Sequence, residues 1–218
     1  MEAARAPVYA LYYSGMSETT IHFIRHGEVL NPAGRFYGRL PRYPLSNSGR
    51  IQAQQAANHL EGSPVRAVIA SPLLRARQTA DIIANWLGCI PVSYSQLILE
   101  CHTPYDGWSV SQLEDRHWDL YTGNQPPYEL PEDVITRACR FAEKTRLRYA
   151  GQQVVAVTHA DVILFLALWA NGLQVNYENK ARVERGELPI CFPATASITS
   201  LAWKSGQSLP EHTYTETW

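Results

Sequence analysis

Short runs of apolar residues alternate with longer amphipathic stretches along the chain, the pattern expected when buried strands alternate with surface helices. Residues 20–25 (TIHFIR) form a β-rich run with apolar Ile21, Phe23 and Ile24; Gly27 permits a turn just beyond it, and a first strand is predicted. Between residues 46 and 60, Ile51, Ala53, Ala56, Ala57 and Leu60 recur at helical spacing, which predicts an amphipathic surface helix. Residues 66–70 (RAVIA) read as a second buried strand. Ser71 and Pro72 then serve as N-cap and first residue of a helix with an apolar stripe of Ala76, Thr79, Ala80, Ile83, Trp86 and Leu87, closed by Gly88. Residues 100–130 hold aromatic residues, Pro104, Gly107, Gly123, Pro126 and Pro127 without sustained periodicity, and read as an irregular segment or lid.

Pro131, Glu132 and Asp133 open a further helix with the stripe Val134, Ala138, Phe141 and Thr145. Acid in its first turn and Lys144, Arg146 and Arg148 near its end suit the helix dipole. Residues 153–158 (QVVAVT) predict a third buried strand, residues 161–169 an apolar helix, and residues 196–203 a final strand. The alternation implies an α/β fold, a three-layer α/β/α sandwich around a mostly parallel sheet. No internal repeat is visible.

Composition narrows the picture. With 218 residues and 45% hydrophobic content, the chain can build one sizeable core. The expected organisation is a flexible leader at 1–19, one domain at 20–204 and a polar tail at 205–218. Residues 6–15 are mildly apolar and follow Arg5, as in a signal peptide, but they are short, tyrosine-rich and lack a leucine-rich middle. Met16 followed by Ser17 and Glu18 reads instead as an alternative start. A net charge of -1 gives no overall field to attract nucleic acid or an anionic membrane, so any anion site must be local. The four cysteines form no C-x-x-C pair, which argues against a zinc knuckle or redox dithiol and fits reduced thiols in a cytoplasmic protein. No apolar run approaches the roughly 20 residues that span a bilayer.

Candidate chemistry gathers at three strand-to-helix junctions: Arg25-His26-Gly27 after the first strand, Arg75 after the second and His159 after the third. The C-terminal ends of parallel strands share one sheet edge, and ligands bind in the crevice beyond it. Two guanidiniums, imidazole and a helix N-terminus at Ser71 would present donors suited to a phosphoryl dianion. Other phosphate chemistries lack their parts. There is no G-x-x-x-x-G-K-[ST] loop, no cysteine six residues before an arginine and no G-x-S-x-G elbow.

The order of motifs resembles that of the histidine phosphatase superfamily. RHGEVLNP at 25–32 is similar to its RHGE-x-x-N signature, and SPLLRARQTA at 71–80 resembles its S-x-L-x-R-A-x-Q-T-A block. Gly38-Arg39 with Pro44-Leu45-Ser46 and residues 49–53, then Val155-Ala156-Val157-Thr158-His159, complete a similarity over residues 20–203. The resemblance implies a phosphoglycerate mutase-like fold, a nucleophile at His26, and phosphoryl contacts from Arg25, Arg75 and His159. It implies a proton donor at Glu100, with Asp106 and Glu114 as alternatives, and substrate contacts from Asn31, Tyr37 and Gly38. Asn31 stands one residue nearer the histidine than in the familiar pattern, and the Asp that often precedes P-L-[ST] is absent.

No cofactor and no metal are implied; His22 and His26 are four apart, but a strand does not make that spacing a metal clamp. The expected partner is a small phosphorylated metabolite, with no nucleic acid and no membrane, and a homodimer is left open. Within the family a phosphatase is favoured over a cofactor-dependent phosphoglycerate mutase, because Cys101 rather than arginine follows Glu100 and Arg116 is the only base between 101 and 130. A non-catalytic phosphate-binding protein is the other class; it predicts loss of the nucleophile or the acid, and neither is lost.

Overall fold

The computed structural model describes residues 18–204 and 207–217, so all but the last two residues of the expected leader lie outside the described residues. Six strands form one sheet in the order β3-β2-β4-β1-β5-β6. They are β1 (Thr19–Arg25), β2 (Val65–Ala70), β3 (Val92–Tyr94), β4 (Gln153–Thr158), β5 (Ile198–Trp203) and β6 (Glu211–Thr215). The first four run parallel, while β5 lies antiparallel to β1 and β6 antiparallel to β5. A three-layer α/β/α sandwich results, as the alternation of strands and helices predicts.

The layers follow from the two-residue period of the strands. Ile21 and Phe23 of β1, Ala67 and Ile69 of β2, and Val154 and Ala156 of β4 face one core. Ile24, Val68, Ala70, Val155 and Val157 face the other. The second core is closed by α1 (Asn47–His59) and α2 (Leu74–Trp86), which supply Ala56, Ala57, Ala76, Ala80 and Ile83. Alanine dominates this layer, so the helices lie close to the sheet and to each other. The first core takes larger side chains from α4 (Pro131–Arg148) and α5 (Ala160–Ala170), among them Phe141, Leu164 and Phe165; full burial of each contributes about 1.5–3 kcal/mol. Between them, residues 100–130 are irregular save for the single short helix α3 (Val110–Glu114), as their composition suggests.

Several details depart from the sequence expectations. Helix α1 does start after Ser46, whose hydroxyl accepts from Gly49 N–H, but Ile51 is 62% exposed because the alanines alone fill the contact with the sheet. Trp86, assigned to the stripe of α2, is likewise exposed at the end of that helix. Ser71 is not the N-cap of α2: the helix begins at Leu74 with Leu73 at the cap, and Ser71 is released for the site described below. The expected tail contains β6, whose polar sequence fits a sheet edge that needs only one buried face. Strand β3, three residues long, and helix α6 (Tyr177–Glu184) carry too little apolar periodicity to be foreseen.

The loop after β1 is fixed by backbone. Ser46 N–H donates to Glu28 O at 2.9 Å, Gln52 Oε1 accepts from Glu28 N–H at 2.8 Å, and Gly27 N–H donates to Thr79 Oγ1 at 3.1 Å. Gly27 and Gly49 meet so closely that a Cβ on Gly27 would stand 2.3 Å from Gly49 O, and one on Gly49 would stand 2.0 Å from Glu28 O. Gly49→Ala should therefore destabilise the fold by about 1–3 kcal/mol, the cost of overpacking a rigid contact, read as a lower urea midpoint at unchanged slope.

Candidate active site

Register brings the junction residues together. Strands β1 and β4 pair with Arg25 opposite Thr158, so His26 and His159 leave adjacent strand ends, and His26 N–H donates to Thr158 O at 3.0 Å. From β2, the next strand over, Ser71 N–H donates to Val157 O at 2.9 Å. The two imidazole rings lie 5.3 Å apart and edge-on. Arg75, in the first turn of α2, reaches between them and is only 1% exposed.

Hydrogen bonding sets the state of each ring. His26 Nδ1 lies 2.8 Å from Gly27 O, an acceptor only, so Nδ1 carries the proton. Nε2 then keeps its lone pair, which takes the Arg75 Nε–H at 3.0 Å. Arg75 Nη2 also donates to Gly38 O at 2.7 Å and to His159 Nδ1 at 3.3 Å. The remaining His159 nitrogen, Nε2, donates to Ser71 Oγ at 2.8 Å. Burial, reinforced by Arg75, holds both imidazoles well below the ordinary value of 6.5. They are neutral where a free histidine would be charged.

Glu100 follows a single 3-10 turn (Gln96–Ile98) at the start of the irregular segment. Its Oε2 stands 3.4 Å from His159 Nδ1 and 3.6 Å from Arg75 Nη2, while Cys101 N–H donates to Oε1 at 3.0 Å. Burial raises its pKa above the usual 4.5 against the opposing pull of Arg75, and nearby Asp161 adds to the rise. Of the alternative acids, Asp106 accepts from Arg39 N–H at 3.0 Å and packs against Gly38, whereas Glu114 is exposed.

His26 and Glu100 border a cavity of about 490 Å³ that Arg25 and Tyr37 also line, while Arg75 and His159 stand behind them, Arg75 bonded to His26 and His159 beside Glu100. The Tyr37 ring lies 4.7 Å from the Arg75 guanidinium carbon. Arg25 Nη1 donates to Pro193 O at 2.7 Å and its buried Nε has no partner among the described residues, leaving a donor for a guest. Asn31 also borders the cavity, but its amide is tied at both ends to the backbone of Arg35. Gly38 serves Arg75 through its carbonyl. His22, by contrast, is held in the sheet by Ser200 and Gln153.

One nitrogen or oxygen each from His26, Glu100 and His159 lie within 4.8 Å of one another, a spacing that could hold a metal ion. The adjoining Arg75 and Arg25 charges oppose a dication and favour an anion. Together the arrangement offers an unprotonated nitrogen nucleophile, two guanidiniums for phosphoryl oxygens and a carboxyl held protonated beyond its ordinary range.

The family model described as histidine phosphatase superfamily (branch 1) matches residues 21–208. The chain belongs to this superfamily. Uncharacterized protein Rv0525 of Mycobacterium tuberculosis is 34% identical over 206 residues, covering 91% of this chain and 96% of its own. A protein of Arabidopsis thaliana named metal-independent phosphoserine phosphatase is 30% identical over 158 residues, 66% of each chain. Among solved structures, Bacillus stearothermophilus YhfR superposes with a TM-score of 0.77 at 21% identity, covering 92% of this chain and 98% of that one, which establishes the fold.

In this member of the superfamily the cavity also holds charges that the motifs do not announce. Lys180 of α6 is 2% exposed, bound to Glu184 Oε1 at 2.5 Å and 3.9 Å from Asp161 Oδ1. Asp161 in turn accepts from Tyr121 Oη–H at 2.5 Å. A lysine four residues before a glutamate was the available signal, but such pairs commonly sit on solvated helix faces. Arg116, the only base between residues 101 and 130, stacks on Tyr105 at 4.7 Å. Besides Arg25, the cations lining the cavity are Lys180 and exposed Arg35; besides Glu100, its acids are Asp161 and Glu184, both beside Lys180.

The acidity shifts set the direction of a pH profile. Protonating His26 destroys the lone pair, and its lowered pKa puts that loss below pH 6.5; ionising Glu100 removes the acid, and its raised pKa moves that loss above the usual 4.5. The first-turnover rate on an alkyl phosphate should therefore not decline as pH falls through 6.5, since His26 keeps its lone pair there while Glu100 only gains its proton, and the decline should come below it, checked by stopped-flow assays at constant ionic strength.

Proposed function

We propose that this protein is a metal-independent phosphatase that hydrolyses small phosphate monoesters through a phosphohistidine on His26. The observation that carries the reading is the His26 tautomer: Nδ1–H is bound to Gly27 O and the Nε2 lone pair meets Arg75 at the phosphate end of the cavity. In the first step Nε2 attacks phosphorus, the ester P–O bond breaks, and the Glu100 carboxyl gives its proton to the leaving oxygen. Arg75 and Arg25 turn to the equatorial oxygens, with His159 beside them, and stabilise the charge that spreads there. In the second step the Glu100 carboxylate takes a proton from water, the oxygen attacks phosphorus, and the P–N bond breaks to release inorganic phosphate. His26 keeps its Nδ1 proton throughout.

Charge balance favours hydrolysis over mutase chemistry. A mutase has to hold a second strongly anionic group away from the reacting phosphate, which calls for surplus cations. Here Lys180 and Arg35 are offset by Asp161 and Glu184, and the wall between is apolar and aromatic, with Phe36, Trp118, Leu120 and Phe192. Such a wall suits a leaving group with little net charge. The name of the Arabidopsis relative points the same way.

His26→Ala should lower turnover of para-nitrophenyl phosphate by at least about a thousandfold while EDTA leaves the wild type unchanged. Acid-labile, alkali-stable label should appear on the wild type after a radioactive substrate pulse. Equal turnover in wild type and variant would refute the nucleophile. Isomerisation of 3-phosphoglycerate primed with 2,3-bisphosphoglycerate, with no net hydrolysis, would reveal a mutase. Inactivity in both assays with retained phosphate binding would favour a binding protein.

A further inference from the structure

Glu100 lies in no helix or strand, yet its carboxyl has to meet the leaving oxygen to within a few tenths of an ångström. Its main chain is gripped instead by charges. Glu100 O accepts from Arg39 Nε at 2.7 Å and from Arg137 Nη2 at 3.3 Å. Glu129 joins the two guanidiniums: Arg39 Nη2 donates to its Oε2 at 2.9 Å and Arg137 Nε to its Oε1 at 2.8 Å. The same Oε2 accepts from His102 N–H at 2.9 Å, and Glu129 N–H donates to His102 O at 2.8 Å. Arg137, in α4, also donates to Leu97 O at 2.9 Å, anchoring the grip to the core helix.

The gripped peptide is the one that orients the acid. Its carbonyl, from Glu100, takes the two arginines; its N–H, from Cys101, donates to Glu100 Oε1 at 3.0 Å. That bond leaves Oε2 turned toward Arg75 and His159. Gly38, next to Arg39 in the chain, accepts from Arg75 at 2.7 Å. One network thus fixes the acid and the phosphoryl ligand relative to each other.

We propose that Arg39, Glu129 and Arg137 are positioning residues that aim the Glu100 carboxyl at the leaving-group oxygen. The inference rests on the reading of Glu100 as proton donor. A grip that merely held the fold would slow every substrate alike. An aiming device affects only esters whose leaving group needs a proton.

The test compares the first-turnover release from para-nitrophenyl phosphate, whose phenolate leaves unassisted, with that from an unactivated alkyl phosphate. Glu129→Gln and Arg137→Lys are compared with wild type, with Glu100→Gln as reference and thermal unfolding measured alongside. Both clamp variants should retain the nitrophenyl burst within about twofold and lose about 10- to 100-fold on the alkyl ester, a fraction of what removing an acid costs. Equal losses on both esters, or no loss on either, would overturn the proposal while leaving the phosphatase reading intact. A Glu100→Gln enzyme that loses equally on both esters would remove Glu100 as donor and the clamp's purpose with it. A wild type silent on both esters would overturn the functional reading itself.

Discussion

A guanidinium buried to 1% exposure is the constraint around which this molecule is organised. Removing such a charge from water costs several kcal/mol unless its donors are matched. Arg75 spends them on His26 Nε2, Gly38 O and His159 Nδ1, with Glu100 Oε2 at 3.6 Å as counter-charge. Each partner is placed by a different part of the chain: two strand ends, the loop after β1 and the irregular segment. The fold delivers acceptors to one cation, and a phosphoryl group would enter as a better acceptor than those it displaces.

Legibility in the sequence follows the range of the forces involved. Strands β1, β2 and β4 are continuous apolar runs because both faces are buried, so they could be read directly, and the junction residues followed from parallel topology. The long stripe of α4 was legible for the same reason, Val134, Ala138, Phe141 and Thr145 all being buried. Strand β6 escaped because an edge strand with one solvated face looks like any polar segment. Ile51 misled because alanine, not size, decides the face of a helix lying close to a sheet.

The site divides in the same way. Arg25, His26, Arg75 and His159 could be read because each sits at a point where strand geometry forces residues toward one edge. Glu129 and Arg137 could not, since a salt bridge spanning eight residues and a loop leaves no periodic trace. Lys180 was hidden because its helix pattern matches countless exposed ones, and only packing against α5 turns it inward. The missed residues lie on helices and loops away from the sheet edge; the legible ones gather at the strand ends.

The bond from His26 Nδ1 to the carbonyl of Gly27 joins neighbours in the chain. Every amino acid brings the same carbonyl, so which ring nitrogen keeps its lone pair is written into the main chain rather than into any distant side chain. Substitutions in the apolar wall of the cavity leave both ends of that bond in place. The orientation of the ring thus comes with the turn itself, and the walls of the cavity are free to change without disturbing it.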